Sequence, residues 1–147
     1  MNNLDERKHM GLLFKNVNKS MVRELNKELE DYGVTLMQME VLGYIYLEEK
    51  KHNINQKDIE QYFNSTNPTI TGLLNRLQAK ELIVRKPSKE DARYKNISLT
   101  QSGREIVEDM HRMKMKKMHE RITKNLSNEE EMQLILLLNK VLEGLEA

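Results

Sequence analysis

The chain contains no cysteine, which excludes disulfide scaffolds, thiolate metal sites, cysteine nucleophiles and cysteine-based redox sensing. Only 6 glycines and 2 prolines interrupt its 147 residues, so long helices are favoured over a loop-built fold. No apolar run approaches the ~18 residues of a spanning helix, and no membrane association is expected. The opening residues, MNNLDERKHM, carry acids and lack an apolar stretch followed by small residues. No secretory signal is read there, and a cytoplasmic location is expected. Catalytic spacings are missing too: there is no glycine-rich phosphate loop, no G-x-S-x-G and no H-E-x-x-H. An enzyme is therefore not expected, nor is a cofactor. The four histidines, His9, His52, His111 and His119, include no i,i+4 pair on one helix, and no metal site is expected.

What is present is charge with a pattern. The formal net charge is only +1, but it is unevenly spread. Residues 53–100 hold eight Lys/Arg against five Asp/Glu, a net of +3, and the rest hold sixteen against eighteen, a net of −2. The sharpest basic run contains Arg85, Lys86, Lys89, Arg93 and Lys95, opposed only by Glu90 and Asp91. A local basic segment on a near-neutral chain points to a defined polyanion contact.

Over residues 5–31 the apolar Phe14, Val17, Met21, Leu25 and Leu29 recur at three- and four-residue steps, which predicts one long amphipathic helix ended near Gly33. Thr35 and Gln38 form a capping-box pattern for a second helix that reaches about Glu49. Asn55 is placed to cap a short third helix over 56–63. The run Asn64-Ser65-Thr66-Asn67 consists of turn and cap formers. Pro68 suits the first turn of a fourth helix, capped by Thr66 or Asn67, that ends near Lys80. A short strand is predicted over 82–85, then a polar loop over 88–95 and an alternating strand over 96–100. A fifth helix is predicted over 101–124. Ser127 and Glu130 form a capping box for a last helix over 128–145. Its run Met132-Gln133-Leu134-Ile135-Leu136-Leu137-Leu138 is apolar almost all round and needs cover on most sides. A partner subunit is the natural cover; packing inside its own chain is the alternative.

Two short helices, a four-residue polar turn and a basic hairpin describe a winged helix-turn-helix. The expected fold is mainly α with a small β-hairpin wing. Residues 35–100 are expected to form a DNA-binding lobe, flanked by the helices of 1–34 and 101–147. At 100° per residue, Pro68, Gly72, Asn75 and Ala79 lie opposite the Ile70/Leu73/Leu77 stripe, with Thr71 and Arg76 flanking. That face is small and free of acid, as entry into a major groove requires. Candidate DNA contacts are Ser65, Thr66, Asn67, Pro68, Thr69, Thr71, Asn75 and Arg76 at the helix, and Lys86, Lys89, Arg93 and Lys95 on the wing. Arg93 has the reach for a minor groove. Asp91 is ill suited to a phosphate-binding loop and is read as structural, pairing with Arg93, Arg85 or a backbone N–H.

Asp91-Ala92-Arg93, followed by Leu99-Thr100-Gln101-Ser102-Gly103, resembles the D-x-R…L-T-x-x-G wing signature of the MarR family of bacterial regulators. Asn67 to Leu77, then Lys80-Glu81-Leu82-Ile83, resembles that family's recognition helix and its run into the wing. The resemblance spans all six helices. It implies a homodimer held by the first, fifth and sixth helices, each subunit reading half of a palindromic operator in double-stranded DNA. It further implies a repressor relieved when a small aromatic or drug-like ligand enters a cleft between the dimer helices and the DNA-binding lobe. Candidate lining residues are Met10, Phe14, Met37, Tyr44, Met110 and Met113, from a chain with ten methionines, a side chain that adapts to varied ligands. Methionine at helical spacing also reads as plain core. Gly72 stands where the family often carries a long basic residue, and Asn75 where an acid is common. A protein-interaction adaptor that kept the winged fold is the non-DNA alternative; such an adaptor has no need of Arg93.

Overall fold

The computed structural model describes residues 9–147. The expected start of the first helix, at residue 5, lies outside them. Helix α1 (Met10–Glu30) stops before Gly33, whose φ of +64° turns the chain toward the next helix. Helix α2 (Leu36–Glu48) starts on a complete capping box: Gln38 N–H donates to the Thr35 hydroxyl and Thr35 N–H to the Gln38 amide. Asn55 and Asp58 repeat this arrangement at α3 (Gln56–Tyr62). Helix α4 (Asn67–Ala79) has Thr66 as N-cap and a proline in its first turn, where the missing N–H costs nothing.

Strands β1 (Ile83–Pro87) and β2 (Lys95–Leu99) pair antiparallel, from Ile83 opposite Leu99 to Pro87 opposite Lys95. Leu82, predicted as strand, belongs instead to the turn that leaves α4. Its N–H donates to the Leu77 carbonyl at 3.0 Å, and Glu81 beside it has φ +57°. Ile54 adds a one-residue third strand against Ile97; one bridging residue carries no alternation for sequence reasoning to find.

Thr100, also predicted as strand, is the N-cap of the long fifth helix. This helix, α5, is α-helical over Gln101–Asp109, widens into a π-helical turn at Met110–Lys114 and resumes over Met115–Thr123. Helix α6 (Asn128–Glu146) begins on Ser127, which accepts the Glu130 N–H. The return bond that would complete a capping box is not made.

The core lies within the winged unit and where α1 and α5 meet it. Leu42, Ile45, Ile54, Ile59, Ile70, Leu74, Leu77 and Ile83 are essentially inaccessible, and Leu29, Val107 and Met110 extend the cluster. Against it, the strand-to-helix joint is built by three consecutive devices. Leu99 is buried, the Thr100 hydroxyl donates to the Glu81 carbonyl at 2.6 Å, and Gly103 lies under the Leu82 carbonyl. A Cβ at residue 103 would overlap that carbonyl oxygen. The L-T-x-x-G spacing is thus a structural requirement of the joint.

Charge fastens α1 to α5. Lys114 reaches Glu28 at 2.6 Å and Asp31 at 2.8 Å, Lys117 pairs with Glu28, and Arg121 with Glu24. By contrast, α6 is uncovered by its own chain: none of its residues is buried, and Met132, Leu136 and Leu145 are 66%, 62% and 78% exposed. Packing within its own chain is thereby ruled out as the cover for this helix.

Two predictions follow from these contacts. Gly103→Ala should lower unfolding free energy by at least ~2 kcal/mol, because backbone must move to admit the methyl; urea denaturation measures it. The Lys114 ammonium, then that of Lys117, holds the Glu28 carboxyl down at about 2. A depressed carboxylate contributes its stability above its ordinary value of 4.5 and loses it as pH falls toward 2. Urea midpoints of the wild type should therefore drop more steeply across that window than those of Glu28→Gln.

Candidate nucleic-acid interface

Helix α4 buries Ile70, Leu73, Leu74 and Leu77 and leaves Pro68, Asn75, Arg76 and Ala79 exposed. Thr66, Asn67 and Thr69 are exposed at its start, while Ser65 and Thr71 are half-buried. The start is internally braced. Gln56 Nε2, from the first residue of α3, donates to Thr71 Oγ1 at 2.8 Å and to the Asn67 carbonyl at 3.4 Å. Thr71 Oγ1 also lies 3.4 Å from Asn67 Oδ1, and the Thr66 and Thr69 hydroxyls are 3.0 Å apart. Residues chosen for their polarity thus orient one another, and Gln56, read in sequence only as a helix start, is the brace.

The far end of α4 is tied down as well. Lys80 Nζ donates to the Gly33 carbonyl at 2.5 Å and to the Gln38 amide oxygen at 3.0 Å. Gln38 is itself buried, so the recognition helix is joined to the α1–α2 turn through a fixed polar contact.

On the wing, Lys86, Lys89, Arg93 and Lys95 are all exposed. Arg93 pairs with Asp91 through Nη2 at 2.8 Å and Nε at 3.1 and 3.2 Å, and the Arg93 N–H donates to the same carboxylate at 3.0 Å. This pairing lowers the Asp91 pKa and raises that of Arg93. The loop is closed further by Tyr94 N–H to the Asp91 carbonyl and Ser88 N–H to the Tyr94 carbonyl. Lys57 of α3 lies 5.7 Å from the Tyr94 ring centre, a cation–π distance.

Arg85 behaves differently from its basic neighbours. It is half-buried, and its Nε donates to Gln78 Oε1 at 2.5 Å and its Nη2 to Asn75 Oδ1 at 2.7 Å. Sequence reasoning grouped it with the solvent-facing lysines; it joins β1 to the outer face of α4. Between α3, α4 and the wing lies a cavity of about 300 Å³ lined by Gln56, Lys57, Asn67, Arg85, Arg93 and Lys95 among others. Helix start and wing therefore border one groove whose charged lining is mainly basic, with Glu60 its one acid.

The six candidate ligand residues do not converge in the protomer. Met110 is core, Met37 packs against the core, and Tyr44 sits in an aromatic cluster with Tyr62 and Phe63. Met10, Phe14 and Met113 are exposed. Among the described residues no group of three or more His, Asp or Glu is arranged to hold a metal. His52 and His119 lie against Glu48 and Glu131 at 3.4 and 3.0 Å.

A helix-turn-helix with an exposed, acid-free second helix, bolted to a basic hairpin, defines a winged helix-turn-helix protein of the kind that serves DNA recognition. Comparison with known proteins narrows the class. A family model described as MarR family matches residues 32–93. The multiple antibiotic resistance protein MarR of Escherichia coli (strain K12) is 31% identical over 133 residues, covering 90% of either chain. The HTH-type transcriptional regulator SarZ of Staphylococcus aureus (strain MRSA252) is 29% identical, over 77% of this chain and 74% of that protein. Among solved structures, the S. aureus MepR–DNA complex superposes with a TM-score of 0.75 at 32% identity, covering 92% of this chain and 97% of that one. The reduced form of E. coli MarR gives 0.78 at 31%, covering 90% and 96%. The chain belongs to the MarR family: it is a transcriptional regulator and not an enzyme.

The wing geometry yields a direct expectation. Asp91→Ala should speed hydrogen exchange at the Arg93 amide and leave exchange in the buried core unchanged, because the ion pair is screened by water. Residue-resolved exchange by NMR reads both.

Proposed function

We propose that the protein is a homodimeric repressor that binds a palindromic operator in duplex DNA, one half-site per protomer, and releases it when a small aromatic or drug-like molecule binds. The observation that carries the DNA-binding part is the continuous surface of α4 and wing: exposed small polar groups, no acid on the helix face, and Lys86, Lys89, Arg93 and Lys95 alongside. In this reading α4 enters a major groove with Thr66, Asn67, Pro68, Thr69, Asn75 and Arg76. Ser65 and Thr71 act close by, and the wing reaches the neighbouring backbone and minor groove. The Asp91–Arg93 pair engages Nε and Nη2, which leaves Nη1 to donate outward. The likeness to MepR, solved as a DNA complex, supports the same mode here.

The dimer is supported by α6. A large exposed apolar helix is unfavourable in water at roughly 25 cal/mol per Å², and a second copy is the self-complementary cover that two-fold symmetry provides. Residues 1–34 and 101–147 then serve dimerisation and 35–100 serves DNA. Two-fold symmetry makes the operator palindromic, with half-sites about 34–36 Å apart. Relief by ligand draws its support from the family and from relatives named for antibiotic resistance and for control of an efflux pump. The partner subunit would have to complete any cleft that uses Met10, Phe14 and Met113.

Selection of tight binders from a pool of promoter-length duplexes tests the reading. The expected result is a palindromic site whose affinity falls steeply with salt; sequence-indifferent binding would overturn it. Arg93→Ala should weaken binding to that site by about 1–3 kcal/mol. Leu136→Glu should convert the dimer to a monomer in sedimentation equilibrium and remove tight operator binding with it.

A further inference from the structure

The contact between Arg85 and Asn75 has a chemical consequence for base reading. An arginine side chain offers donors only, so any amide facing it must present its oxygen. The orientation of Asn75 is therefore dictated: Oδ1 accepts from Arg85 Nη2 at 2.7 Å, and Nδ2 takes the opposite side. Gln78, one turn along, is held in the same sense by Arg85 Nε at 2.5 Å. The bond to Asn75 is charge-assisted, and among the described residues no carboxylate pairs with Arg85 to draw it away. Asn75 is meanwhile exposed on the outer face of α4.

A free asparagine reads adenine bidentately, its oxygen accepting from N6 and its amino group donating to N7. The guanidinium takes one of the two lone pairs of that oxygen and sets a positive charge against an approaching N6 amino group, so the edge a base meets most readily is the Asn75 amino group. That donor finds two acceptors on guanine (O6 and N7), one on thymine (O4), one on adenine (N7, beside the opposing N6 amino group) and none on cytosine. We propose that Arg85 is a specificity-determining positioning residue: by engaging Oδ1 it turns the Asn75 amino group toward the base and makes Asn75 select guanine over adenine. The inference rests on the reading above that α4 lies in the major groove.

The test is sequencing of duplexes selected from a randomised pool by the full-length wild type and by Asn75→Ala, Arg85→Ala and Asn75→Asp, each checked by thermal melting. Asn75→Ala marks the position it reads, as the one where base preference flattens. The wild type should favour guanine over adenine there roughly tenfold. Arg85→Ala should shift that one position toward adenine or flatten it, leaving the rest of the half-site unchanged. Should Arg85→Ala fail to fold, Asn75→Asp decides: it keeps a partner for Arg85 but has no donor, and should lose the guanine preference. Adenine at that position in the wild type, an unchanged preference in Arg85→Ala, or a retained one in Asn75→Asp would each overturn the proposal while the operator reading stands. So would the absence of any position that flattens in Asn75→Ala. A wild type that selects no site at all would overturn both.

Discussion

The carboxylate of Glu49 is the point on which the winged unit hangs. It sits at the C-terminus of α2, accepts the Leu99 backbone N–H at 3.0 Å and pairs with Arg104, whose guanidinium lies 5.6 Å from the Tyr46 ring centre. One largely buried side chain thereby joins α2, the second wing strand and the fifth helix. An anion withdrawn from water in this way is tolerated only while its partners stay in place, since a buried charge left unpaired costs several kcal/mol. The pairing therefore fixes where β2 leaves the core and α5 begins. Thr100 and Gly103, two turns of the same joint, then set the angle between them.

From that joint the DNA-facing surface is built by polar ties, not by added core. Gln56 braces the start of α4, Arg85 holds its outer face to β1, and Lys80 secures its end to the turn after α1. Each tie is a directional hydrogen bond, and together they hold the groove-facing atoms in position before any ligand arrives. Preorganisation of this kind lowers the ordering cost of binding. It also connects the reading surface to α2 and the turn after α1, because Lys80 ends on the Gly33 carbonyl and Gln38.

Helices α1, α5 and α6 show the opposite balance. Salt bridges along α1 and α5 hold the protomer's own arm together, while the apolar faces of α6 and of the first half of α1 stay open to solvent. Electrostatics shape this part of the subunit, and its large apolar faces stay uncovered.

Much of this was legible in the sequence because its causes are local. Helix periods, the caps at Thr35 and Asn55 and the turn before Pro68 all involve residues a few positions apart, and their chemistry is the same in any context. The exposed α6 could be anticipated for the same reason: a helix apolar all round needs cover wherever it lies. The partners of the charged and amide groups could not be read this way. Arg85 looked like one member of a basic run, and only packing brought it to Asn75 and Gln78. Glu49 meets Arg104 and Lys114 meets Glu28 across tens of residues, and the π-helical turn at Met110–Lys114 has no periodic signature. Local sequence thus determined which elements form and where they start and stop, since propensity, capping and turn chemistry act within a few residues. Tertiary structure decided which donor meets which acceptor, because that depends on distances set by the packing of the whole core.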